Sequence, residues 1–275
     1  MGHTGPVILR RSFWHAVETI HHVVYLSPAA RATYEAVGLK GTWMGYFASR
    51  AAVLGTPGPE VVVATFHGFA PRMVHRALPD AWSLAARDDI LEARWALARE
   101  TIAPAFEGVD VTALAAGLQA GLPGLELAGR PLAAGNLGLT VPDDDLAAVW
   151  HAASVLREFR GDSHLAVLTG AGFDGVTSNV LAVAAGLAMD GQQQLRGWTD
   201  EEWEAAAAGL RGRGWLDADN TITDAGMVAR TQLESATDRA TSAGISREAV
   251  EHFASVADLA VTASKQLVAL GIDPR

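Results

Sequence analysis

Positions 157–164 bring Arg157, Glu158, Arg160, Asp162 and His164 together within a largely apolar stretch. An arginine among apolar residues must find a carboxylate, a phosphate or a carbonyl, because an unpaired buried charge is too costly. A histidine titrates near neutrality and can take or give a proton. An aspartate directly after a glycine is suited to capping a helix. With Gly161 read as a helix end, Asp162 caps the next helix. His164 then stands in its first turn, where the positive dipole end disfavours imidazolium. In that arrangement His164 and Asp162 are the acid–base candidates. Arg157 lies on the same helical face as Trp150 and is the candidate for holding a ligand anion. A purely structural arrangement fits equally well: Arg157 paired with Asp162 or Glu158, Asp162 only capping, and His164 satisfied between two helical regions.

A second set lies earlier. Residues 42–54 are apolar nearly all round, with Trp43, Met44, Tyr46, Phe47 and Leu54, so a helix there should be buried. Arg50 is its one charge, either capturing a ligand anion or forming a buried ion pair. Trp43 and Tyr46, with Phe66, Phe69 and Trp82, line a pocket or fill a core. His67 is a further candidate ligand contact. His67 and His75 stand eight apart and His21 and His22 are adjacent, so no HExxH-like spacing exists and no metal is expected. The absence of cysteine removes thiolate zinc sites, iron–sulfur ligation and Cys nucleophiles. Neither a dinucleotide or P-loop site nor a GxSxG elbow is expected, and no cofactor is implied.

Helices must position these groups. The spacing of Phe13, Val17, Ile20 and Val24 predicts one over 12–25. Others are expected from Ser27-Pro28, over 42–54, over 60–69, between Pro71 and Pro79, over 88–102 and over 111–120. Asp143-Asp144-Asp145 caps the helix that carries Trp150 to Arg160. Further helices follow over 174–187, 199–212 and 224–240, and a single closing helix starts at Ser246. Residues 215–223 read as a small β-hairpin, with apolar flanks around Asp217-Ala218-Asp219-Asn220. The Gly- and Pro-rich stretch 107–142 is the best boundary, dividing an N-terminal helical domain (1–142) from a C-terminal one (143–275).

The order helix, Gly214-Trp215-Leu216, tight turn, Ile222-Thr223 and Gly226 opening a long helix resembles a MarR-like winged helix over about residues 145–240. More of the chain resembles an actinobacterial family described only as helix-turn-helix. That likeness runs through Gly45-Tyr46-Phe47-Ala48-Ser49-Arg50, Ala64-Thr65-Phe66-His67-Gly68-Phe69, Pro79-Asp80-Ala81-Trp82 and Arg213-Gly214-Trp215-Leu216-Asp217. It implies a family architecture and no particular activity. A DNA-reading winged helix needs basic residues to meet phosphates. Residues 199–226 instead carry seven acids (Asp200, Glu201, Glu202, Glu204, Asp217, Asp219, Asp224) against Arg211 and Arg213.

The chain has 275 residues, 49% of them hydrophobic and 19% charged, enough for a sizeable core. Its formal charge of −10 argues against coating nucleic acid or anionic membrane. Arg10-Arg11 is followed by Glu18, His21 and His22 rather than an apolar run, so no export signal is read there. The expectation is an all-α cytoplasmic protein, α-helical apart from the hairpin wing. It binds, and in one version transforms, a small organic molecule such as a specialised metabolite between its two helical regions. The alternative is a ligand-responsive, DNA-binding regulator; a scaffold protein is a third class. The amphipathic closing helix suggests a homodimer.

Overall fold

The computed structural model describes residues 9–188 and 191–273. Helix α1 (Arg11–Leu26) buries Phe13, Val17, Ile20 and Val24, as their spacing requires. It is followed by α2 (Ala30–Ala36) and α3 (Gly41–Ala51). Three short helices come next: α4 (Pro59–Thr65) and α5 (Pro71–Ala77), each opened by its proline, and α6 (Asp80–Leu84). Helices α7 (Arg87–Ile102), α8 (Val111–Gly121) and α9 (Pro131–Leu137) complete the N-terminal part.

Helix α10 (Asp145–Gly170) runs through the middle, packed on α1, α7, α8 and α9. Asp144 caps it, accepting from Ala147 N at 2.7 Å. The expected break at Gly161 is absent, and the helix continues for 26 residues. A glycine inside a helix costs only about 1 kcal/mol. Burial of Leu156, Phe159 and Leu168 on either side outweighs it. Asp162 therefore caps no helix of its own, and His164 is not in a first turn.

Beyond α10 lie α11 (Gly175–Ala184), α12 (Gln192–Arg196), α13 (Asp200–Gly212) and α14 (Asp224–Ala243). Thr199 and Glu202 form a capping box at the start of α13. The expected β-hairpin is not formed. One antiparallel bridge joins Leu216 to Ile222, and among the described residues there is no strand. Asp217 accounts for this, because its side chain accepts from Asp219 N and Thr221 N at 2.9 Å and winds the segment into a tight local turn. These elements enclose a small core of their own, with Phe173, Leu181, Leu210 and Leu216.

The closing segment is two helices rather than one. Helix α15 (Arg247–Ser255) ends where Val256 leaves helical geometry, and α16 (Ala257–Ala269) follows. Helix α15 packs on α8 and α16 on α1, so both join the large N-terminal core. The apolar face that suggested a dimer contact is thus covered within the chain, with Phe253, Ala263 and Leu267 fully buried. Among the described residues, no single helix is long and apolar enough to cross a membrane.

Asp162 carries the first prediction. Its carboxylate accepts from Ala133 N, in the first turn of α9, at 3.0 Å. Burial pushes its pKa up to about 7, against the pull of that N–H. A folded-state pKa above the unfolded value means that the folded chain holds an extra proton between about 4 and about 7. The stability Asp162 contributes is therefore lost as pH rises through that window. Asp162→Asn removes the ionisation. In urea titrations, its stability relative to the wild type should rise across pH 4 to 7 by on the order of 3 kcal/mol; a constant difference would refute the assignment.

Candidate functional site

Glu158 is the centre of a buried charge cluster, with none of its surface exposed. Arg50, on α3, donates from Nε and Nη2 to its two oxygens at 2.8 Å each, a bidentate fork. Arg157 Nη1 donates a third bond at 2.9 Å, and its Nε and Nη2 reach Glu18 at 3.4 and 3.5 Å. Both arginines thus find carboxylate partners, but neither pairs with Asp162. Burial opposes ionisation of Glu158, yet Arg50 and Arg157 hold it well below the usual carboxylate range.

The remaining Nη1 of Arg50 donates to the Tyr46 hydroxyl at 3.2 Å, four residues earlier on α3. Burial alone would raise the Tyr46 phenol. Arg50, Arg196 and Arg157 together bring it below its ordinary value.

Beside this cluster lies a cavity of about 530 Å³ between α1–α3 and the α11–α12 region. Tyr25, Tyr34, Trp43, Tyr46 and Phe69 supply its aromatic wall, and Leu187 and Leu195 an aliphatic one. Its polar members include His22, Gln192 and Arg196. Gln192 is held by Asn179, to which it donates at 2.8 Å. Arg196 stacks on Phe69, 4.3 Å from the ring centroid, and among the described residues it has no carboxylate within 4 Å. Burial lowers its pKa. A shallower depression of about 590 Å³ near Pro104 and Phe106 holds only acidic ionisable groups, Glu107, Asp144 and Asp145.

Behind the cavity, Arg94 is only 1% exposed and likewise lacks a carboxylate partner among the described residues. Its Nη2 donates to the Tyr25 hydroxyl at 3.3 Å, its Nη1 to Asn136 Oδ1 at 3.4 Å, and its face lies over Trp150. A buried guanidinium held only by neutral groups keeps a positive potential around them.

Of the residues singled out from sequence, Trp43 and Tyr46 line this cavity, and Arg50 and Arg157 stand behind it. Asp162, His164 and His67 do not line it. His164 bonds through Nδ1 to Thr237 Oγ1 at 2.9 Å, and burial brings its pKa down to about 4. His67 donates from Nε2 to Phe173 O at 3.2 Å, across the junction with α11, and its buried Nδ1 has no hydrogen-bond partner among the described residues. The expected set of Arg50, His67, Arg157, Asp162 and His164 around one pocket is therefore not assembled. Helical continuity through Gly161 points Asp162 at α9 and His164 at α14 instead. Sequence reasoning missed His22, Tyr25 and Arg196. The Glu18-to-His22 spacing of one helical turn was the available signal for the first. Arg196 lies in a segment with no periodic pattern.

Among the described residues no cluster of histidines and carboxylates could hold a metal ion. The spacing Gly170-x-Gly172-x-x-Gly175 has the form of a dinucleotide fingerprint. It joins helix α10 to helix α11, whereas that site requires a strand before the glycines.

No curated protein and no solved structure matches the chain. Residues 10–274 match the profile of a helix-turn-helix family. The protein belongs to that helix-turn-helix family over nearly its whole length.

Proposed function

We propose that the chain binds a small organic anion with an aromatic body in the cavity between α1–α3 and α12. The observation carrying this reading is a surplus of positive charge behind an aromatic wall. Among the described residues, four guanidiniums (Arg50, Arg94, Arg157 and Arg196) meet two ionised carboxylates, Glu18 and Glu158, with Asp162 a partly protonated third. An anion beside Arg196 reduces that imbalance. Stacking on Phe69 occupies the face of the guanidinium, one edge is directed at the Tyr46 oxygen, and the remaining in-plane N–H groups suit a carboxylate or similar fork.

A pair of fluorescent probes tests this. Anilinonaphthalenesulfonate and N-phenyl-1-naphthylamine share an aromatic body and differ by the anionic group. The sulfonate should bind more tightly, and Arg196→Gln should weaken it about 10- to 100-fold, since a hydrogen bond to a charged group contributes about 1.5–3 kcal/mol. The neutral amine should change by less than about threefold, because it lacks that bond. Equal binding of both probes, unaffected by the substitution, would sink the reading.

A second reading follows from the family description: a DNA-binding regulator with the cavity as its effector site. Against it, Asp200, Glu201, Glu204, Asp217, Asp219 and Asp224 are all exposed around α13 and the following turn. Arg211 is tied to Glu204 and Asn220. Operator binding that weakens steeply with salt in a mobility-shift assay would favour the regulator.

A further inference from the structure

We propose that the cavity is a proton-transfer site in which His22 Nε2 removes a proton from the carbon beside a ligand carbonyl, while the Tyr46 hydroxyl, held by Arg50, donates to the oxygen where charge develops. This rests on the cavity being a binding site for an aromatic anion, and it adds what happens to that anion there.

The tautomer of His22 follows from its partner. Nδ1 stands 2.9 Å from the Glu18 carbonyl oxygen, which can only accept, so Nδ1 carries the hydrogen and Nε2 the lone pair. Nε2 makes no hydrogen bond among the described residues, and His22 lines the cavity. The Glu18 carboxylate lies 3.4 Å from the same Nδ1, placed to stabilise the imidazolium as it forms. Arg157 from α10 and Arg50 from α3 are the nearby cations that disfavour its protonation. Burial lowers the His22 pKa, against Glu18, so the ring is a free base at neutral pH.

Tyr46 supplies the complementary group. Arg50 donates to its oxygen, which leaves the phenolic hydrogen free to point elsewhere, and Tyr46 lines the same cavity. Neighbouring guanidiniums make it more acidic than an ordinary phenol. Arg50 is itself immobilised by both oxygens of Glu158, so the donor is preorganised.

The chemistry balances without a co-reactant. The C–H bond breaks, its proton moves to Nε2, and its electron pair forms the enolate C=C while charge shifts to the oxygen facing Tyr46. Return of a proton from Nε2 to the same carbon gives exchange; return to a neighbouring vinylogous carbon gives isomerisation. The substrate class is an aromatic carbonyl compound with an anionic arm, the arm held by Arg196.

Phenylpyruvate carries all three features and serves as the probe. In deuterated buffer, loss of its methylene signal by proton NMR should run at least about tenfold faster with the protein than in buffer alone. His22→Gln should bring exchange back to the rate in buffer alone, and Tyr46→Phe should slow it about tenfold. Anilinonaphthalenesulfonate should block exchange by the wild-type protein, a check independent of whether a variant folds. Phenylpyruvate bound without faster exchange, or failing to bind where the sulfonate does, overturns the proton-transfer proposal alone. Wild-type exchange rates in His22→Gln do the same. Failure of both probes to bind overturns the pocket reading with it.

Discussion

Glu158→Ala should lower the unfolding free energy by about 3–5 kcal/mol, because it leaves the buried Arg50 guanidinium without a counter-charge and Arg157 with only its longer contacts to Glu18. Natural domains hold only about 5–15 kcal/mol in reserve, so the variant is expected to be partly unfolded at 37 °C. The cost arises from uncompensated charge rather than from the lost pair itself. Arg50→Met combined with Glu158→Met should therefore be markedly less damaging than Glu158→Ala alone. Denaturant midpoints compared at constant slope would check this. A double variant as unstable as the single one would show that shape, not charge, sets the cost. The pH dependence has a definite sign. The folded-state pKa of Glu158 is depressed, so its contribution is present above the ordinary carboxylate value and lost as pH falls toward the folded value. The histidines kept neutral by burial, His21, His22, His151 and His164, act in the same direction from about 6.5 downward.

Gly175→Ala should be the most damaging small substitution at the junction between the N-terminal helices and α11–α13. A Cβ there would stand 2.0 Å from the His67 carbonyl oxygen and 3.1 Å from the Trp198 ring, and backbone cannot step aside as a flexible side chain can. Overpacking of this kind costs about 1–3 kcal/mol or more. The strain falls on a dense junction. Gly68 O accepts from Asn179 Nδ2 and Trp198 Nε1, and Ala70 N donates to Arg196 O at 2.9 Å. Displacing that junction moves Arg196 out of the cavity. Anilinonaphthalenesulfonate affinity should then fall with no cavity-lining residue altered, and hydrogen exchange at Ala70 should quicken. Gly209→Ala on α13 is the control. Its added Cβ meets nothing within 4 Å, and stability should stay the same or rise by up to about 1 kcal/mol. Equal behaviour of the two variants would refute the junction's role.

The all-helical class, the caps at Asp144, Thr199 and Ser246 and the proline starts of α4 and α5 were all determined by the sequence. Each is a local matter, in which a side chain meets a backbone group within one turn or an apolar residue recurs at helical spacing. The requirement that Arg50 and Arg157 find counter-charges was likewise legible, since burial follows from their neighbours and desolvation from burial.

Which carboxylates would answer was decided only by the tertiary structure. Glu158 is 108 residues from Arg50 and Glu18 is 139 from Arg157, and no local rule links them. The fate of Gly161 was decided in the same way. Its local preference of about 1 kcal/mol for ending a helix lost to the apolar burial of the residues around it. Once α10 continued, Asp162 and His164 turned to α9 and α14, and the chemistry-bearing groups of the cavity became His22, Tyr46 and Arg196. Their convergence depends on three segments brought together by packing.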